Sequence, residues 1–218
     1  IVLWAKLNRR YRVTRGVPTD LGPCGEQTAA FLVRDNILHR RDIEEAYLDA
    51  IGAAREDILV ANAYFLPGRR FRRALHDAVK RGVRVVILLQ GRIEYRLIHY
   101  ATQALYGRLL GSGIRIFEYR RSFLHAKVAV IDRHWATVGS SNIDPFSLLL
   151  AREANIVVKD SLFAESLRES LDQAMRNGAR ELPVDSWKRL PWHSRLLRWA
   201  SYNLVRIMVG IVGYGGKR

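Results

Sequence analysis

The 218 residues contain a single cysteine, Cys24, so neither an internal disulfide nor a thiolate zinc cluster is available. Glycine and proline are sparse, at 16 and 6, and apolar residues make up 49% of the chain. Disordered, collagenous and low-complexity classes are thereby excluded. Acidic residues are also scarce: 21 Asp and Glu stand against 36 Lys and Arg, a net charge of +15. Such a balance suits a phosphate-bearing partner, nucleic acid or lipid. The most membrane-like stretch, residues 199–214, includes Asn203 and Arg206 and falls short of the roughly 20 apolar residues of a spanning helix. The chain opens at Ile1 with no Met and no leader, and so reads as part of a longer or processed protein.

What is present divides into three. Residues 1–28 are basic and then turn-rich, an incoming linker. Residues 29–184 show α/β patterning: strands are expected at 29–34, 58–63, 83–89, 114–118, 124–131, 135–138 and 155–158. Helices are expected at 41–54, 71–81, 93–110 and 161–177, with Gly82 placed for a helix C-terminus. The expected fold is an α/β domain with a mixed, mostly parallel sheet flanked by helices on both faces. Residues 185–218 differ in kind. From Ser186 on there are seven basic residues, no acidic one, and Trp187, Trp192 and Trp199, a basic amphipathic tail suited to a membrane interface. Membrane contact is expected through Trp187, Trp192, Arg195, Arg198 and Trp199. The plainer alternative is a helix packing Leu196, Leu197, Leu204 and Ile207 on the core.

One segment carries chemistry, with the spacing H-x-K-x4-D-x6-G-S-x-N: His125, Lys127, Asp132, Gly139, Ser140 and Asn142. Strand alternation puts His125, Lys127, Ala129 and Ile131 on one face and Ala126, Val128 and Val130 on the other. A neutral imidazole can attack phosphorus, and a neighbouring ammonium can neutralise the non-bridging oxygens; neither metal nor other cofactor is called for. Gly139, Ser140, Ser141 and Asn142 offer donors for a phosphate cradle. Asp132, of the opposite parity and beside a turn, reads as an orienting member of the set. Glu153 is a candidate to hold the imidazole in one tautomer. His134 reads as a turn residue.

The signature resembles the phospholipase D superfamily. The longer run from Asp132 to Ser147, with residues 43–51 and 63–67 upstream, is similar to bacterial cardiolipin synthases of the B type. The resemblance covers about residues 11–160. It implies transfer of a phosphatidyl group from one phosphatidylglycerol to the hydroxyl of another, at the bacterial cell membrane, by a peripheral or monotopic enzyme. His125 would then be nucleophile or general acid/base, Lys127 and Asn142 phosphate ligands, and Glu153 a partner of the imidazole. Two departures stand out. Ala151 lies where the family often has Asn, and the family uses two such motifs, whereas His39, His76, His99, His134 and His193 all lack a lysine two residues on.

The resemblance is therefore to a C-terminal half, completed by a second motif-bearing half of the same full-length chain or by a homodimer mate. Two other readings stay open. One is a homodimeric nuclease or phosphodiesterase of the same superfamily, tracking nucleic acid through Arg69, Arg70, Arg72, Arg73, Lys80 and Arg81. The other is a non-catalytic domain that binds anionic membranes.

Overall fold

The computed structural model describes residues 27–35, 38–188 and 190–214. The linker through residue 26, Cys24, Arg189, Lys217 and Arg218 lie outside the described residues. In chain order the elements are β1 (Thr28–Arg34), α1 (Asp42–Ala53), β2 (Asp57–Asn62), α2 (Arg69–Lys80), β3 (Arg84–Gln90), α3 (Arg96–Gly111), β4 (Arg115–Tyr119) and β5 (Lys127–Ile131). They continue with β6 (Trp135–Gly139), α4 (Pro145–Leu149), β7 (Glu153–Lys159), α5 (Ser161–Gly178), β8 (Ala179–Glu181), α6 (Val184–Lys188) and α7 (Trp192–Tyr214).

All eight strands join one sheet in the order β1-β7-β6-β5-β2-β3-β4-β8. The sheet is mixed but mostly antiparallel, which corrects the expected parallel majority. Only β2–β3 and β3–β4 run parallel, each joined through a helix. The remaining pairs are antiparallel. The reason lies in the connections: three residues, 132–134, separate β5 from β6, too few for the crossover that parallel neighbours need. Asp132 and Arg133 adopt φ of 49° and 50° there, as a tight hairpin of this hand requires. Gly82, at φ 87°, ends α2 in the left-handed region as its position predicted.

Helices cover both faces, as expected. On one face Ile58, Val60, Ile87, Ala129 and Ile131 pack with α1, α2, α3 and Val205 of α7. On the other, Leu59, Leu88, Val128 and Val130 meet Ala164 and Leu171 of α5. The helix α5 is also tied to the sheet by a buried ion pair, Arg168 with Asp57, which Arg84 joins at 3.3 Å. No helix among the described residues is long and apolar enough to cross a membrane.

Candidate active site

The strand alternation read from the motif holds, since Ala129 and Ile131 enter one core and Val128 and Val130 the other. His125 itself lies outside β5. The last rung beyond the β2–β5 ladder is Ala63 N donating to Ala126 O at 2.9 Å, and the chain before it leaves the sheet. His125 therefore sits exposed at the mouth of the strand pair. Behind it, Lys127 is only 9% exposed. Its Nζ turns back to donate to the His125 carbonyl at 3.3 Å. Burial pulls the Lys127 ammonium below the ordinary lysine value, against the charges of Glu153, Glu94 and Asp144, which push it up.

The register brings the other members alongside. Lys127 pairs with Asn62 across β2, and Gly139 pairs with Asn155 across β7. At Gly139 a close approach forbids any side chain: a Cβ would stand 2.2 Å from Asn155 Oδ1 and 2.5 Å from Ala154 O. Asn155 holds the loop above it. Its Oδ1 accepts from Ser141 N at 3.3 Å and its Nδ2 donates to Thr137 Oγ1 at 3.2 Å. The Ser140 N–H goes to Ala154 O at 3.0 Å, and the Ser140 hydroxyl donates to Glu153. The Ser141 hydroxyl is spent on Asn142 O at 3.4 Å.

Of the four residues expected to cradle phosphate, Gly139, Ser140 and Ser141 thus shape the site from below. Asn142 is placed differently: its Oδ1 accepts from Tyr64 N at 3.3 Å, leaving its Nδ2 without a protein partner among the described residues. Glu153 lies at the start of β7, where it receives the Ser140 hydroxyl; no hydrogen bond joins it to the His125 imidazole. Ala151 is anchored through its backbone, since buried Arg34 donates to its carbonyl.

Asp132 does not join this group. It stands at the far end of β5, about 17 Å along the strand from Lys127. Its carboxylate accepts from the backbone N–H of Arg55, Glu56 and Asp57 at 2.8, 2.8 and 2.9 Å. Its work is to fasten the α1–β2 turn to the β5–β6 hairpin. His134 is at the same end, 3.3 Å from the Ser161 hydroxyl.

Three residues near Lys127 escaped the sequence reading. Asn62 accepts from Ile143 N at 2.9 Å, and its buried Nδ2 has no partner among the described residues. Glu94 receives the Tyr64 hydroxyl, whose ionisation is pushed well up by burial and by that carboxylate. Asp144 caps α4, accepting from Phe146 N and Ser147 N at 2.8 and 3.0 Å. Burial raises its pKa in spite of those bonds. Only Asp144 carried a signal, an N-cap residue followed by proline.

The fold and site define an α/β domain with an exposed histidine and a buried lysine at the open end of a central antiparallel strand pair, framed by a glycine-serine loop. The chain belongs to the phospholipase D-like family: the model described as "Cardiolipin synthase, PLD-like domain" matches residues 47–175. Cardiolipin synthase B of Escherichia coli strain K12 is 38% identical over 190 residues, 87% of this chain and 46% of that protein. The chain spans about half the length of the curated relatives it matches. Among solved structures, the phospholipase D family member Nuc from Salmonella typhimurium superposes with a TM-score of 0.60 at 23% identity, covering 72% of this chain and 99% of Nuc. Phosphatidylserine synthase from Haemophilus influenzae gives 0.67 at 13% identity, covering 86% and 47%. These two show the fold alone.

Proposed function

We propose that this chain is one half of a phosphatidyltransferase that makes cardiolipin from phosphatidylglycerol. The observation that carries the reading is an exposed His125 followed two residues on by a buried Lys127 whose ammonium turns back to the His125 carbonyl, with Asn142 fixed on Tyr64 N and its Nδ2 without a hydrogen-bond partner among the described residues. An imidazole so exposed can reach a phosphodiester. Its nitrogen forms a P–N bond as the P–O bond to the departing glycerol breaks, and Lys127 and Asn142 neutralise the phosphoryl oxygens. The departing alkoxide takes a proton from a second imidazole. That group later removes the proton of the acceptor hydroxyl as its oxygen displaces His125 from phosphorus. Here the second imidazole comes from another motif-bearing half or from a second copy.

Similarity to cardiolipin synthase B supports lipid as the substrate. The nucleic-acid alternative is weakened by the basic cluster at residues 69–81, several of whose members are engaged by partners on the same chain. Arg70 lies 3.7 Å from Glu44 and 3.5 Å from Glu45, Arg72 donates to Pro67 O and Tyr202 Oη, and Arg81 donates to Ile51 O. The test is turnover of phosphatidylglycerol and of single-stranded DNA by the protein assembled with its second half. Lipid transfer that falls below about a hundredth of the parent rate in His125→Ala supports the proposal. DNA cleavage without lipid transfer overturns it.

A further inference from the structure

The helices α3 and α7 lie against each other, and between them runs a groove of about 410 Å³ on the flank of the domain. Four arginines line it, Arg108 from α3 and Arg195, Arg198 and Arg206 from α7, and among the described residues no carboxylate does. Arg198 is the most firmly set. Its Nε donates to Gln103 Oε1 at 3.0 Å, its Nη1 donates to Ser194 O at 2.9 Å, and its guanidinium lies 5.3 Å over the Trp187 ring. All three partners are neutral, so its charge stays uncompensated. Arg206 stands 5.8 Å over Tyr202. Trp187 is seated on Tyr106, ring centres 5.0 Å apart, where Gly107 leaves room: a Cβ there would meet the indole at 3.0 Å. Glycine is a poor helix former, and here it admits the aromatic floor of the groove.

Beside the groove, α7 shows an apolar stripe to solvent. Ser201 and Val205 face the core, while Trp192 is 75% exposed, Trp199 63%, Ile207 59% and Leu196 52%. At 100° per residue these four fall on one side of the helix. Leu196 and Ile207 thus point away from the core, contrary to the plainer reading of the tail. The helix also reaches α4, which follows the Asn142 loop.

We infer that the α3–α7 groove binds the phosphate headgroup of an anionic glycerophospholipid in a bilayer, with the Trp192–Leu196–Trp199–Ile207 stripe set among the acyl chains. Guanidiniums such as those of Arg108, Arg198 and Arg206, which have no carboxylate partner among the described residues, match a phosphodiester, which they can hold through paired N–H donors. The stripe next to them matches what lies beneath such a headgroup, with tryptophan at interface depth. A site of this kind is separate from His125 and holds the domain on the surface where its substrate is. The inference rests on the lipid reading above for the choice of lipid alone, because docking needs no catalysis.

The test uses the 218-residue chain and vesicles of phosphatidylglycerol or phosphatidylcholine. Arg108→Glu with Arg206→Glu alters two groove arginines, and Leu196→Glu with Ile207→Glu alters the stripe. Circular dichroism melting confirms that each variant keeps its fold. Each pair should weaken sedimentation with phosphatidylglycerol vesicles by at least about tenfold. His125→Ala should bind as the parent does. Phosphatidylglycerol with brominated acyl chains should quench tryptophan emission in the parent and not in the stripe variant. Unchanged sedimentation of the folded groove variant overturns the inference. So does full competition by millimolar inorganic phosphate with no effect of the stripe variant, which would make the groove a site for free phosphate. Vesicle binding by the chain that survives while the protein assembled with its second half turns over no lipid would leave the inference standing and count against the phosphatidyltransferase proposal.

Discussion

His125 and Lys127 are two residues apart and live in different media. The imidazole is in water, so His125→Ala should leave thermal stability within about 0.5 kcal/mol of the parent while removing transfer. Lys127 is buried, and its pKa is lowered from 10.5. Between the lowered folded value and the ordinary one, the unfolded chain binds more protons than the folded chain, so stability rises with pH through that window. Below the window, desolvation of the ammonium is a constant cost to the fold. Lys127→Met should therefore lose transfer, match or exceed the parent in urea unfolding at pH 7, and lack the parent's gain in stability as pH approaches 10. Gly139 is constrained by space: Gly139→Ala should destabilise by at least about 1–3 kcal/mol, since Asn155 and Ala154 leave no volume for a methyl group. Chemical denaturation measures this directly.

Among the elements, the β5–β6 hairpin shows why the most conspicuous motif residues do different jobs. His125 and Lys127 stand at its open end and Asp132 at its turn, with the length of the strand between them. Asp132 replaces water for three amide groups at the start of β2. Asp132→Ala should cost about 2–4 kcal/mol, as charged acceptors of several backbone bonds do. Transfer per folded molecule should be unchanged well below the melting temperature. A loss of kcat in fully folded Asp132→Ala would place it back in the chemistry. β7 is the matching support on the other side, because Glu153 and Asn155 hold the loop that ends in Asn142.

For the whole molecule, one His–Lys pair per chain has a kinetic consequence. A group engaged as nucleophile cannot also protonate the leaving alkoxide in the same step. The 218-residue chain assayed alone should turn over phosphatidylglycerol at a negligible rate unless two copies associate across the His125 mouth. Sedimentation velocity together with the turnover assay checks this, and a fully active monomer would refute the requirement for a second motif.

Local pattern alone determined a good deal: the positions of β1 to β7 and of α1, α2, α3 and α5 to within a few residues, and the two faces of β5. These follow from backbone geometry that acts over a few residues, such as alternation, helical spacing and turn chemistry. Tertiary structure decided the rest. The direction of most strands depended on which neighbours β5, β6 and β7 found, and the short link 132–134 was the one local sign of it. The removal of Asp132 from the site, and the spending of the Ser140 and Ser141 donors on β7, came from partners 13 to 77 residues away. Asn62, Glu94 and Asp144 come near Lys127 only once distant segments are joined in one sheet, and Arg108 meets Arg198 and Arg206 only when α7 folds back on α3. Contacts between distant segments leave no period in the sequence, so spacing could mark the motif without showing which of its members share a site.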